Sequence, residues 1–128
     1  MEYKLNLPES CPPSKANSAD LDPVYRLISG DTLDKNDLIS HVEAGLNFPK
    51  KKECEAHAIS FHKDIEGCKK LKQRHKKFRN KKIYRGRLTK ECGVTDNYLD
   101  NSHINLWVYK NIDLLSVFQG GEAHGYEI

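Results

Sequence analysis

Long apolar runs are missing: none approaches the ~20 residues needed to cross a bilayer. Missing too is a charged start followed by an apolar stretch of the export type. Both absences argue against a membrane partner and set the expectation of a cytoplasmic protein. No internal repeat, helix-turn-helix spacing, zinc-finger spacing or RNA-binding aromatic signature is visible, which argues against sequence-specific reading of nucleic acid. No catalytic signature is present either, so whether the chain is an enzyme stays open and no cofactor is called for. Apolar residues are scarce at 38% while charged ones reach 30%, which predicts a thin core under a heavily ionised surface. Four cysteines, Cys11, Cys54, Cys68 and Cys92, could make two bridges. Without an export signal, free structural thiols are the expectation.

What the chain has is charge, unevenly placed. Residues 1–48 carry four basic and eight acidic side chains, residues 49–90 sixteen and four, and residues 91–128 one and six, so a net +3 hides a central segment at +12. An asymmetry of this kind bears on fields and partners, not on fold. At 128 residues one domain is expected, able to bury roughly two-thirds of its unfolded surface.

Along the chain, residues 1–23 are rich in Pro, Ser, Asn and Asp and read as an irregular arm lying extended over the domain. Val24–Ser29 reads as a first strand, and residues 32–45 as a helix with Thr32 or Asp34 as N-cap and Gly45 closing it. Residues 47–55 read as a loop. Ala58–His62 is nearly all apolar or small and reads as a buried strand. Ile65, Cys68, Leu71, His75 and Phe78 then recur at helical spacing, predicting a helix from Asp64 to Phe78. Lys82–Leu88 and His103–Tyr109 read as further strands, the last with Ile104, Leu106 and Val108 on one face. Residues 112–118 read as a closing helix, and 120–128 as a loose tail. The expectation is one α+β domain over 24–119, with a small mixed or antiparallel sheet of about four strands and two or three helices on one face.

The stretches LPESCPP, VYRLISGDTLDKNDLISHVEAG, AISFHKDIEGCKKL, IYRGRLTKECG and SHINLWVY, in that order, resemble a family of small bacterial proteins. The likeness rests on a DFLS-like step (DLIS, Asp37 to Ser40), a GLSVF-like step (AISF) and a late histidine and tryptophan. It implies one bacterial domain and no particular reaction. More weakly, an arginine in a first strand followed by a serine late in another resembles the motif order of ADP-ribosyltransferases. Arg26 and Ser60 are the matching positions. The late glutamate of that pattern has no counterpart on a strand, since Glu91 follows the third one.

Two constellations follow. The first is a basic tract: Lys69, Lys70, Lys72, Arg74, Lys76, Lys77, Arg79, Lys81, Lys82, Arg85 and Arg87. Like charges three and four apart repel by some tenths of a kcal/mol per pair, and phosphate contacts would offset that through counterion release. The plainer account is a solvated face, or one neutralised by the acidic flanks. The second is a polar set within apolar strands: Arg26, Ser60 and His103 as candidate catalytic or nucleotide-binding groups, with Ser40, His41, Glu43 and His62 nearby. Arginine can clamp phosphate, serine can donate to an anion and histidine can move a proton. Structural pairing of Arg26 with Asp34, Asp37 or Glu43 is the competing account, because a buried guanidinium needs acceptors. Cys54, His57, His62 and Cys68 approximate a zinc-knuckle spacing, but strand alternation would part the two histidines, so no metal is expected.

The leading expectation is therefore a small binding module that docks a polyanion, nucleic acid first, through its basic tract. A nucleotide-binding or ADP-ribosyltransferase-like enzyme using Arg26, Ser60 and His103 is the alternative, and a subunit for an acidic protein partner the third. Oligomeric state is open.

Overall fold

Alternation along residues 103–108 organises the sheet. Ile104, Leu106 and Val108 pack with Val24, Ile59 and Phe61 on one face, while Trp107 turns to the other with Ala58 and Val94. The computed structural model describes residues 2–30, 32–120 and 126–127. Its strands are β1 (Leu21–Ile28), β2 (Ile59–His62), β3 (Lys82–Leu88), β4 (Gly93–Thr95), β5 (His103–Val108) and the two-residue β6 (Tyr126–Glu127). They form one sheet in the order β4-β5-β2-β1-β3-β6, antiparallel at every pairing. With α1 (Glu53–Ala56), α2 (Ile65–Arg74) and α3 (Leu114–Phe118), this is an α+β fold.

The sheet is larger than the expected four strands. The additional β4 has three residues, too few to show a period, and depends on Gly93. There φ is +155°, and a Cβ would run into the main-chain carbonyl of Trp107. β1 begins earlier than Val24, its pairing with β3 shifting between Leu21 and Val24, where Pro23 has no N–H to give.

Two expected helices are shorter. Residues 32–45 contain no continuous helix but a 3-10 turn at Lys35–Asp37, capped by Asp34, and a hydrogen-bonded turn at 41–45 that ends on Gly45 in the left-handed conformation. Hydrogen bonds between Ser40 and Glu43, described below, claim groups that a continuous helix would have used. α2 stops at Arg74 rather than Phe78: His75 is extended, and Lys76–Phe78 form a separate 3-10 turn. Unrelieved lysines at helical spacing weaken that last turn, and the break lets Phe78 turn beneath Lys77 and Lys81. Conversely, α1 forms where a loop was expected.

The arm is fastened to the sheet. Asn17 bridges Thr95 on β4 and Tyr3 bridges Tyr109, so the short β4 edge is covered. Cys11 and Cys54 form a disulfide across 43 residues, with Cα atoms 5.6 Å apart, which corrects the expectation of four free thiols. Cys68 and Cys92 are free and buried. On the opposite edge Tyr126 and Glu127 pair with β3, against a loose tail at those two positions, while 121–125 and 128 lie outside the described residues. Among the described residues no helix is long and apolar enough to cross a membrane.

Candidate functional site

β2 and β5 pair Ser60 with Asn105 and His62 with His103. Directly opposed residues of antiparallel strands share a face. These four polar groups therefore sit together on the face opposite Ile59, Phe61 and Ile104. The sequence marked Ser60, His62 and His103 as polar residues embedded in apolar strands; Asn105 it did not single out.

Next to them β1 and β2 are joined by a single register pair, Tyr25 with His62. Arg26 completes the join. Its Nη1 donates to the Ser60 carbonyl at 2.6 Å, Nε to the Asp37 carbonyl at 2.6 Å and Nη2 to the Ile39 carbonyl at 3.3 Å, with the guanidinium 5.7 Å from the Phe61 ring centroid. The guanidinium thus staples the 37–39 loop to the sheet through carbonyls, not through the carboxylates weighed from sequence. Burial lowers its pKa to about 10, Asp37 and then Cys68 acting in the other direction. Of its five N–H donors three are engaged among the described residues, and no carboxylate pairs with the guanidinium directly, although Asp37 lies near enough to favour its charge.

Arg26, Ser60 and His103 all line one cleft of about 940 Å³. Lys70, Arg74, Lys77 and Lys81 line the same cleft. The two constellations read separately from sequence therefore converge on one concave surface. Among the described residues none of these four cations has a carboxylate partner, whereas Lys69 beside them pairs with Glu66 at 3.6 Å. Of the nearby acids, Glu43 pairs with Lys4 at 2.6 Å and Glu55 with Lys52 at 3.4 Å, while Asp37, which lines the cleft, accepts from the Asp34 N–H at 2.9 Å and partly offsets the shift of Lys81. Lys77 and Lys81 lie 5.0 and 5.1 Å from the Phe78 centroid. Burial, then Arg26 and Lys77, lowers the Lys81 pKa, as expected of a cation among cations.

The rest of the tract does not enter the cleft. Lys69, Lys76 and Arg79 are exposed outside it, and Lys72 is half-buried on the Cys68 side of α2. On β3, Arg87 donates to the Val117 carbonyl at 3.3 Å, and Lys82 and Arg85 hold contacts of their own.

The histidine wall has its own support. The rings of His62 and His103 are 5.6 Å apart. Burial, and then His103, pushes the His62 pKa down to about 4; burial also lowers that of His103. Ser102, which the sequence did not single out, donates to Asp64 at 3.1 Å and stands 3.4 Å from His62 Nδ1. Asp64 also caps α2 through the Gly67 N–H at 2.9 Å. A Cβ on Gly67 would strike both His62 and Ser102. Ser40 and Glu43 hold each other's backbone N–H at 3.1 and 3.2 Å, shaping the loop that bears His41 at the cleft rim.

The tentative zinc set does not assemble: Cys54 is bonded to Cys11, and among the described residues no group of three or more metal-ligating side chains converges. Trp107 donates to the Cys54 carbonyl at 3.0 Å, a structural contact. No family model, curated protein or solved structure matches this chain.

Proposed function

We propose that the protein is a binding module for a phosphorylated ligand of nucleotide type, taken in the cleft between α2 and the β2–β5 face. The observation carrying this reading is that four cations without carboxylate partners among the described residues line the same cleft as Arg26, Ser60 and His103. A volume of about 940 Å³ falls within the range of small-molecule sites. Lys70, Arg74, Lys77 and Lys81 supply charge to phosphate oxygens. Ser60 Oγ, without a hydrogen-bond partner among the described residues, supplies a donor. Arg26 contributes charge from behind the wall and holds its shape. The ADP-ribosyltransferase likeness gains no support, because Glu91 is exposed and lies outside the cleft.

Calorimetric titration with ADP and with inorganic pyrophosphate tests the reading. Saturable binding, weakened tenfold or more by Lys70→Glu with Arg74→Glu and falling with salt, is expected. No heat and no thermal stabilisation at millimolar ligand would overturn it.

A second reading has its own support. Lys72, Lys76 and Arg79 extend the positive field beyond the cleft, as suits a single-stranded nucleic acid tracking across α2. Fluorescence anisotropy with mixed oligonucleotides should then show log affinity falling with log salt, by roughly 0.7 per phosphate contact.

Cytoplasmic residence is part of the proposal, and the Cys11–Cys54 bridge puts it to the test, since reducing compartments rarely keep disulfides. Alkylation on rapid acid quench of cells decides it: cytoplasmic residence requires the bridge to be reduced there, so that all four cysteines are labelled. A pair that stays unlabelled would place the chain in an oxidising compartment.

A further inference from the structure

A second cavity of about 230 Å³ adjoins the cleft and shares His41, Ser60 and His103 with it. Asn105 lines it and is only 5% exposed. Its backbone N–H donates to Asp96 Oδ1 at 2.7 Å and its Nδ2 to Oδ2 at 2.9 Å. That bidentate grip fixes the amide, so Nδ2 faces the carboxylate and Oδ1 must turn away from it. Oδ1 is buried and has no partner. Among the described residues two other buried side-chain oxygens are unpaired, on Thr95 and Asn97, but neither residue lines either cavity. At the rim Phe48, 36% exposed, presents an aromatic ring.

A buried acceptor without a donor is costly, and native structures seldom leave one unfilled. An exposed aromatic ring beside it offers a stacking surface. The volume lies below the ~300–1,000 Å³ of sites for drug-sized ligands, so it suits one ring system and not a whole nucleotide.

We propose that this side cavity is a base-recognition subsite: it takes a nucleobase carrying an exocyclic amino group, stacked on Phe48 and donating to Asn105 Oδ1. The inference rests on the cleft reading above, which places the phosphates of the same ligand on Lys70, Arg74, Lys77 and Lys81.

The test compares three probes, namely ADP, purine riboside 5′-diphosphate, which lacks the amino group, and pyrophosphate. Each is titrated into the wild-type protein and into Phe48→Ala, a change at an exposed residue. The subsite predicts that ADP binds about tenfold more tightly than purine riboside 5′-diphosphate, and that one more tightly than pyrophosphate. In Phe48→Ala both base-bearing probes weaken about tenfold while pyrophosphate binds as before. Equal affinities of all three probes would overturn the subsite and leave the phosphate cleft standing. Failure of pyrophosphate and ADP alike would overturn both. A base-dependent gain unaffected by Phe48→Ala and by loss of the amino group would also overturn this assignment, placing the base elsewhere.

Discussion

Arg26 reaches three carbonyls on two different segments, and lysine, with a single nitrogen, cannot span them. Arg26→Met should therefore lower stability by about 3 kcal/mol in urea denaturation, since hydrogen bonds to charged groups are worth about 1.5–3 kcal/mol and the carbonyls would be left behind. Gly67 sets a second requirement. Gly67→Ala drives a methyl against His62 and Ser102, and overpacking of that kind costs about 1–3 kcal/mol; unchanged stability and unchanged His62 ring resonances would refute the contact. His62 gives the pH dependence. Its folded pKa of about 4 lies below the ordinary 6.5, so both states are neutral above pH 6.5 and the contribution is constant there. As pH falls from 6.5 towards 4 the unfolded chain takes up a proton that the folded one refuses, and stability drops. Asp64 partly opposes the shift, while Arg26 and His103 reinforce it. Discounted for the ring's partial exposure, the loss is on the order of 1–2 kcal/mol, visible as a falling Tm that His62→Gln diminishes, His103 supplying a remainder of the same sign. A bound phosphate should raise the same pKa, because an anion beside His62 favours its charged form.

At the scale of the element, α2 combines a well-made start with a crowded end. Asp64 caps it and holds Ser102 against the histidine wall, so Asp64→Ala should cost about 1 kcal/mol and also disturb His62. The other end loses its last turn to like charge and gains the Lys77 and Lys81 contacts with Phe78. Charge reversal at Lys70 and Arg74 should leave Tm unchanged or slightly raised while weakening ligand binding tenfold or more. Separation of stability from binding would mark those cations as functional, whereas a parallel loss of both would show that they serve the fold. The arrangement explains why the tract reads as one block in sequence yet divides in space: helical rotation turns Lys70 and Arg74 to the cleft and Lys69 and Lys72 away from it, and β3 carries the remainder elsewhere.

The whole molecule depends on segments far apart in the chain. The arm covers the β4 edge and is tied by Cys11–Cys54 to the start of α1, beside Trp107 and the side cavity. Reduction should lower stability by about 3–4 kcal/mol, the expectation for a loop of this length, and shift Trp107 fluorescence as its Cys54 acceptor loosens. If reduction also weakens ADP while sparing pyrophosphate, the arm supports the base end of the site more than the phosphate end.

Local pattern by itself determined much of this protein. Period 2 in 103–108, the apolar run at 59–61, the strand at 82–88 and the charge asymmetry are properties of neighbouring residues, and each appears where its spacing put it. Polar residues inside apolar strands likewise marked Arg26, Ser60 and His103. Tertiary structure decided the rest, because the deciding partners are remote: Gly93 makes a strand only against Trp107, and Cys11 finds Cys54 only once the arm is laid down. Arg26 ended among carbonyls because the 37–39 loop folds over it. Ser102, Asn105 and Phe48 gave no signal of their own, since a serine, an asparagine and a phenylalanine acquire meaning only from the cavity they line. The convergence of the basic tract with the polar set belongs to the same class, being set by how α2 crosses the β1–β2 join, which no local period encodes.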